Sequence, residues 1–334
     1  MGGAVKLHAA SVRQWQPRWL QANAKLLSQG GNYHLLGLAL LAFTLIHLVP
    51  GNPVRTMLGG RASAQEVHQV SEALGLTKPL VNQFWSFLTN LITGHFGQSF
   101  TFGQSIGSLI SERLLPSAAL ICYGTIVALV LGVPLAIIGA LRSGRPIDHG
   151  IRVLTTVSFA MPTFWSGLVL ALIFALKLNW LPVSGYTPGF VGIVRSLTLP
   201  AIALGLSLLA VIVRTLRSSI RYVLSLEYVE AAEARGFSTP RIMVKHVLRN
   251  AVMPTATVLA VNVGFLIGGT VVLEQVFQIP GLGTLLFQAV QQRDYLLVET
   301  LAVLAGSIVV SLNLLTDIMQ VVVDPRVRMG GKSV

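Results

Sequence analysis

The stretch that decides the fold is EYVEAAEARGFSTPRIMVKHVLRNAVMP, residues 227–254. It is charged and rich in helix-forming residues, yet it lies between two runs that are almost entirely apolar. Because a helix that crosses a bilayer needs about 20 mostly apolar residues, the two flanking runs are candidate spans. The pattern predicts a membrane protein with a helical loop outside the bilayer.

The composition of the whole chain supports a membrane protein. Among its 334 residues, 53% are apolar and 11% are charged, and the mean hydropathy is +0.71. Soluble domains carry roughly 25% charged residues, so this chain lacks the polar surface of a soluble protein. The net charge of +12 does not indicate a nucleic-acid partner, because the basic residues lie between apolar runs. The single cysteine, Cys122, excludes an intrachain disulfide.

Six apolar runs are candidate membrane-spanning helices. The first, at residues 26–50, is diluted by glycine, asparagine and histidine; the others lie at 116–141, 153–176, 197–213, 253–273 and 296–323. The sequence therefore predicts an all-α fold, a polytopic bundle of six transmembrane helices. Pro162 and Pro200 are expected to be tolerated in or at the ends of these spans, because neighbouring helices can satisfy the freed backbone groups.

The basic residues predict the orientation of the chain. Of the 24 lysines and arginines, 17 fall on one set of flanks: the N-terminus, the loop at 142–152, the stretch 214–249 and the C-terminal tail. Because basic flanks tend to stay in the cytosol, both termini and the 227–254 segment are predicted to be cytosolic.

This orientation gives a predicted domain organisation. It consists of a cytosolic N-terminal segment (1–25), a first span (26–50), an external cap (51–115), a five-helix core (116–323) with a cytosolic loop (214–252), and a cytosolic tail (324–334). The patterning of the cap predicts two small helices, at residues 64–74 and 81–91.

The charged segment predicts two short helices joined by a glycine. Acids stand early in the first helix, where the helix dipole favours them, and Gly236 is placed to end it in a left-handed conformation. Thr239 and Pro240 are expected to be the N-cap and the first residue of the second helix. That helix should carry a basic stripe opposite an apolar face made of Met243, Val244, Val247, Leu248 and Ala251.

Six residues of the segment are candidates for docking another protein. On the first helix, i, i+3, i+4 and i+7 spacing places Tyr228, Ala231, Ala232 and Arg235 on one face, which is small and nearly flat, so another protein can lie closely against it. The candidates are Tyr228, Glu230, Ala231, Ala232, Arg235 and Gly236. The alternative is an amphipathic loop that only anchors the chain to lipid head groups.

The stretch EAAEARG, at residues 230–236, resembles the EAA signature of permease subunits of binding-protein-dependent ABC importers. HVLRNAVMP, at 246–254, is similar to the form usual in the peptide and nickel branch of that family. Further matches follow in the family's order: LVPGNP at 48–53, GHFGQSF at 94–100, MPTFWSG at 161–167, LPVSGY at 181–186, IPGLG at 279–283, RDY at 293–295 and DPRVR at 324–328. One such match is weak evidence, whereas an ordered series is specific.

The resemblance implies a type I ABC importer permease in a bacterial inner membrane, with the 230–236 loop as a coupling helix held by an ATP-binding subunit. It also implies a heterodimer with a second homologous permease, two ATP-binding subunits and an external solute-binding protein. ATP and Mg²⁺ would bind those partners, so this chain is expected to hold no cofactor or metal and to catalyse no reaction. Peptides are the expected substrate, with nickel-chelate, glutathione or another small solute as alternatives.

Polar residues in the apolar runs are candidates for the pathway or its gates, because charge in lipid is costly and usually has a partner. They are Asn262, Glu274, Asn313 and Asp317. Each has a structural alternative: Asn262 and the Asn313–Asp317 pair would tie helices together, and Glu274 would be an ordinary solvated helix end.

Two other classes compete with an importer permease. A zinc protease is disfavoured because no HExxH is present and the histidines are scattered. The stretch GGKS at 330–333 is not a P-loop, because the earlier glycine of that motif falls on Arg326. A secondary transporter or channel would usually show inverted repeats, and the two halves of this sequence show no convincing repeat.

Overall fold

The computed structural model describes residues 36–37, 39–41, 43–44, 54–55, 62–73, 75–99 and 101–323. Within those residues the named elements are helices, and the β geometry is confined to an isolated bridge between Gln98 and Ser105. The helices are α1 (Ala64–Ala73), α2 (Leu80–Thr93), α3 (Ile106–Leu141), α4 (Pro146–Ala160), α5 (Thr163–Lys177), α6 (Phe190–Leu224), α7 (Glu227–Ala234), α8 (Thr239–Val276), α9 (Leu282–Gln291) and α10 (Tyr295–Val323). The all-α prediction is confirmed.

The helices α1 and α2 correspond to the two helices predicted in the cap. At the start of α1, Glu66 accepts a hydrogen bond from the Ser63 N–H (2.8 Å) and Ser63 Oγ accepts one from the Glu66 N–H (3.2 Å), which is a capping box. The bond from the Ser63 backbone, reinforced by the Ser63 hydroxyl, holds the pKa of Glu66 below its ordinary value. Helix α2 follows Pro79 and ends at Gly94, which has a left-handed φ of 74°. Both helices are confirmed; the side of the membrane on which they lie stays a prediction.

Within the described residues, four helical stretches are long and apolar enough to cross a membrane: α3, α6, α8 and the Tyr295–Leu315 part of α10. The bent pair α4 and α5 supplies a fifth crossing if it counts as one span. These elements contain the five clear apolar runs of the sequence. The predicted span at 26–50 lies largely outside the described residues, although the described ones at 36–44 are helical. The count of six therefore stays a prediction.

The predicted span at 153–176 is not one straight helix. The chain bends by 104° between α4 and α5, at Met161 and Pro162. Met161 adopts extended backbone (φ −79°, ψ 128°), which a following proline favours, and Pro162 has no N–H to continue the helix. A continuous span through Pro162 is therefore wrong, whereas Pro200 lies inside the unbroken α6.

Helix α6 lies at the centre of the bundle. In the most apolar 18-residue stretch of α6, 72% of the stretch is buried within the chain, whereas the corresponding share for α3 is 22%. Along its buried face α3 presents a small residue at every fourth position: Gly124, Ala128, Gly132 and Ala136. A Cβ at Gly124 would lie 2.9 Å from Leu204 Cδ2 on α6, so a larger residue would push the helices apart. Small residues at this spacing let two helices approach closely, and this series was not among the features predicted from the sequence.

Separate apolar clusters hold the two ends of the bundle. At one, which we call the elbow end, α3 and α6 pack against α7 and the start of α8, and Ile220, Val229 and Val247 are fully buried. At the other, the far end, the start of α3 packs against α9 and the first turns of α10, where Ile106 and Leu285 are fully buried. The candidate functional residues described below lie mainly at these two ends.

Candidate functional site

The elbow is the segment at residues 227–250, which contains α7, a tight turn and the first turns of α8. Helix α7 ends in a Schellman motif: the Gly236 N–H donates to Glu233 O at 2.8 Å, and the Phe237 N–H donates to Ala232 O at 3.3 Å. The φ of Gly236 is 78°, in the left-handed region that glycine adopts most cheaply. The predicted glycine cap is confirmed.

One face of α7 is anchored in the cluster at the elbow end. Val229 is 1% exposed and Ala232 is 5% exposed. Because residues three apart share a face of a helix, burying Val229 also turns Ala232 inward. Ala232 therefore packs inside the chain, and the expectation that it joins Tyr228 and Ala231 on one open face is wrong for this residue.

The other predicted docking residues are open at the surface. Glu230, Ala231, Arg235 and Gly236 are exposed. The ion pairs formed among the described residues do not involve Glu230 or Arg235. The exposed side of α7 thus offers three glutamates and, just after its last residue, one arginine, with small side chains among them, to a surface laid against it.

Tyr228 is exposed but also joins the two helices of the elbow. Its hydroxyl donates to His246 O at 3.3 Å and accepts from Asn250 Nδ2 at 2.9 Å. The Phe237 ring stacks on His246 with centroids 6.2 Å apart, and the Arg241 guanidinium lies 4.7 Å from the Phe237 centroid. These contacts cross the turn between α7 and α8, so the elbow is a stiff unit rather than a flexible loop.

The second helix of the elbow differs from its prediction in two places. Its N-cap is Ser238, which has extended backbone (φ −67°, ψ 146°), so the helix begins at Thr239 instead of being capped by it. Val244 is 68% exposed, whereas Met243 and Val247 on the predicted apolar face are buried. Residues Met243–Leu248 form π-helical turns, whose additional residue per turn changes which side chains point inward.

A buried ion pair braces the elbow end. Arg217 on α6 donates from Nε to Asp148 Oδ1 and from Nη2 to Asp148 Oδ2, both at 2.7 Å, and the Gly144 N–H donates to Oδ2 at 3.1 Å. Asp148 is 1% exposed, and the bidentate pairing fixes both side chains in one geometry. The pair links the helix that enters the elbow to α4. Because the partner of Arg217 lies 69 residues away, the sequence pattern showed Arg217 only as part of a basic flank.

Glu274 is buried at the far end, so the alternative of a solvated helix end is wrong. It accepts hydrogen bonds from Ser117 Oγ (2.6 Å) and from the Thr284 N–H (2.9 Å), while Ser117 Oγ accepts one from the Leu282 N–H (2.8 Å). A Cβ at Gly281 would overlap the Glu274 carboxyl group, so glycine is needed where the chain passes it. Glu274 thus ties α8 to α3 and to the start of α9; a role in gating stays a prediction.

The other pathway candidates are not brought together. Asn262 donates to Val258 O within α8 at 2.7 Å, so this bond does not tie two helices. Asn313 is exposed on α10. The side chain of Asp317 lies outside the described residues, and its pairing with Asn313 stays a prediction.

The sequence GQSIG at residues 103–107 has the spacing of a serine-hydrolase nucleophile motif. Ser105, its serine, is the N-cap of α3 and accepts a hydrogen bond from the Ser108 N–H at 3.2 Å. A nucleophile elbow needs a strand leading into the serine, and the residues described before it, 75–99 and 101–104, contain none. The motif is therefore a helix cap.

Comparison with known proteins identifies the family. Residues 132–329 match the family described as "Binding-protein-dependent transport system inner membrane component", and residues 28–117 match the corresponding N-terminal family. A di/tripeptide transport system permease protein of Pseudomonas aeruginosa is 36% identical over 321 residues, covering 87% of this chain and 94% of that protein. A probable peptide ABC transporter permease protein of Sinorhizobium fredii is 35% identical (86% and 92% covered), and a glutathione transport system permease protein of Salmonella choleraesuis is 35% identical (88% and 94% covered).

A solved structure has a similar fold. A chain of the MetNI methionine ABC transporter in inward-facing conformations aligns with a TM-score of 0.55 and 14% identity, covering 65% of this chain and 96% of that chain. In importers of this family, ATP-binding partner subunits hydrolyse ATP and a binding protein supplies the solute. The chain therefore belongs to the binding-protein-dependent transport system inner membrane components, the multi-pass permease subunits of ABC importers.

Proposed function

We propose that this chain forms part of a translocation pathway for short peptides, and that the elbow docks an ATP-binding subunit. The observation that carries the docking proposal is that the elbow is both stiff and open. Val229 and Ala232 anchor α7 in the bundle, while Glu230, Ala231 and Arg235 face outward. A stiff element joined to two long spans, α6 and α8, can pass a partner's motion to both of them.

The proposed assembly contains a second homologous permease, two ATP-binding subunits and an external solute-binding protein. ATP and Mg²⁺ would be bound by the ATP-binding subunits. The elbow and both termini would be cytosolic and the region 51–115 external, as the distribution of basic residues favours. Nucleotide closure of the ATP-binding pair would then move the elbow and tilt the spans.

The proposed substrate class follows from the relatives. Two of them are named for peptides and one for glutathione, which is itself a tripeptide. Short peptides are thus the chemistry these names share. A nickel-chelate or another small solute is the alternative, and the solute-binding protein would carry most of the selectivity.

Docking can be tested by cross-linking in the assembled importer. In a Cys122→Ser background, Ala231→Cys should cross-link to an ATP-binding subunit, with a yield that changes on adding ATP. The matched control is Ala118→Cys, an exposed alanine on α3 near the far end, which should give no such product. An elbow that cross-links to no subunit at any stage of the nucleotide cycle would contradict the docking proposal.

The substrate can be tested by uptake into proteoliposomes that hold the complete importer and its binding protein. A labelled dipeptide should enter only with ATP, and unlabelled glutathione and a nickel-chelate should be compared as competitors. Uptake of the nickel-chelate without uptake of any peptide would refute the substrate class. Flux of solute through this chain alone, without ATP, would instead favour a channel or secondary transporter.

A further inference from the structure

A cavity of about 320 Å³ lies at the far end, between α2 and the first turns of α10. Helix α2 contributes Phe87 and Asn90 to its wall, and α10 contributes Glu299 and Thr300. In the liquid, each water molecule occupies roughly 30 Å³. The cavity is much larger than one or two water molecules, so its volume suits a small organic group better. The cavity is separate from the elbow and from the hydrogen bonds around Glu274.

Glu299 is the unusual group in this wall. It is 6% exposed, and its Oε1 has no hydrogen-bond partner in the part of the chain that the structure describes. Lys78 also lines the cavity, but the salt bridges among the described residues do not join it to Glu299. A buried carboxylate without a partner costs several kcal/mol, so native proteins rarely leave one unpaired without a function.

Asp294, five positions earlier, provides an internal comparison. It is also buried, but its carboxylate accepts hydrogen bonds from Ser99 Oγ and from the N–H groups of Thr101 and Leu297. The fold thus satisfies one acid at the start of α10, whereas the other, in the wall of the cavity, has one carboxylate oxygen without a partner among the described residues. An ionisable residue in a span that has no partner among the described residues points to a ligand of opposite charge.

The remaining wall indicates which kind of cation fits. The rings of Phe43, Phe87 and Phe96 line the cavity, and the first two have centroids 6.2 Å apart. Aromatic faces attract organic ammonium groups, and aromatic walls beside a carboxylate are suited to them. A metal ion fits less well, because the described residues contain no group of three or more His, Cys, Asp or Glu side chains placed to hold one.

We propose that this cavity binds an organic ammonium group, with Glu299 as its ionic partner and the phenylalanine rings as its walls. The group can belong to a lipid head group or to a soluble amine, since the chemistry recognised is the same. Occupation would tie α2 to α10 and so fix the cap helices on the bundle. This site is additional to the peptide pathway, and its test does not depend on transport.

The test uses the complete importer in nanodiscs of phosphatidylglycerol, a lipid without an ammonium group. The probes are choline and ethanolamine, and 3,3-dimethyl-1-butanol serves as the neutral isostere of choline. Binding is followed by slowed amide hydrogen exchange in Leu80–Thr93 and by a saturable rise in the thermal unfolding midpoint, because a ligand that binds only the folded state stabilises it. We expect at least one amine to bind and the neutral alcohol to bind at least tenfold more weakly.

The variants separate the carboxylate from a general charge effect. Glu299→Gln should weaken amine binding at least tenfold, whereas Glu112→Gln, an exposed acid on α3, should leave it unchanged. If Glu299→Gln fails to assemble, Phe87→Leu keeps the carboxylate and removes one ring, and should still weaken amine binding severalfold. Equal binding of choline and its neutral isostere, unchanged binding in both variants, or no binding of either amine would overturn the proposal.

Experiments in nanodiscs of two other lipids identify the source of the ammonium group. In nanodiscs with phosphatidylethanolamine or phosphatidylcholine, a head group that fills the site should slow exchange in α2 before any amine is added. A soluble amine as the source predicts that these lipids have no effect and that the added amine acts equally in all nanodiscs. Either result supports the site, and each assigns a different occupant.

Discussion

Replacing Gly236 tests whether transport needs a stiff elbow. Gly236 has a φ of 78°, and a Cβ there would meet nothing within 4 Å, so Gly236→Ala adds backbone strain and no clash. Left-handed backbone costs an L-residue about 1–2 kcal/mol, and asparagine tolerates it better. Proline is fixed near a φ of about −65° and lacks the N–H that donates to Glu233 O, so Gly236→Pro removes the cap altogether.

The size of the effect follows from where this strain falls. Because Gly236 is exposed and lies in the turn, the cost opens the elbow without unfolding the bundle. A loss of 1–2 kcal/mol multiplies the opened population by roughly 5–30. The Phe237 amide, which donates to Ala232 O, should therefore exchange its hydrogen about 5–30 times faster in Gly236→Ala, while the thermal midpoint of the whole chain changes little.

The assay is ATP-dependent uptake of a labelled dipeptide by the complete importer in proteoliposomes. Uptake should decrease in the order wild type, Gly236→Asn, Gly236→Ala, Gly236→Pro. The matched control is Gly94→Ala at the end of α2, where φ is 74° and a Cβ also meets nothing within 4 Å. The reasoning fails if Gly236→Pro transports like the wild type, or if Gly94→Ala lowers uptake as much as Gly236→Ala.

Three further predictions concern the polar contacts at the two ends of the bundle and the packing of α3 against α6. Glu274→Ala leaves the Ser117 hydroxyl and the Thr284 N–H without their acceptor, so we expect a loss of about 2–6 kcal/mol in unfolding free energy, and Glu274→Gln, which keeps one acceptor, should lose less. Arg217→Met leaves the buried Asp148 with only the Gly144 N–H and the Arg152 guanidinium, 3.9 Å away, so we expect a loss of about 3 kcal/mol; adding Asp148→Asn should recover part of this in a double-mutant cycle, and full additivity would contradict the pairing. Gly124→Ala overpacks α3 against α6 and should cost about 1–3 kcal/mol by thermal unfolding, whereas Gly268→Ala on α8, with open space around it, should cost nothing measurable.

The local features of the elbow were largely predictable. Gly236 ends α7 in the expected left-handed conformation, and the two cap helices appear where the apolar pattern placed them. Helix capping and hydrophobic periodicity act over a few residues, so the order of residues alone carries them. Even there the tertiary context changed details, since the core turned Ala232 inward and the π-helical turns turned Val244 outward.

The polar contacts between distant residues could not be predicted from such local patterns. Glu274 meets Ser117 across 157 positions, and Asp148 meets Arg217 across 69. No short-range rule specifies partners this far apart, because packing of the helices brings them together. The same holds for Glu299, because only the packing of α2 against α10 shows that its Oε1 has no partner among the described residues.

The sequence by itself determined that this chain lies in a membrane, that its fold is all helical, and that a capped, charged elbow joins two of its spans. Composition is a property of the whole sequence, and periodicity and capping depend on residues close together in it, so all three can be recognised without the tertiary structure. Only the tertiary structure decided which helix lies at the centre, where Pro162 breaks a span, and which charged groups find partners. Those outcomes depend on helix packing in three dimensions, where a small side chain or one buried carboxylate acts on residues far away in the sequence.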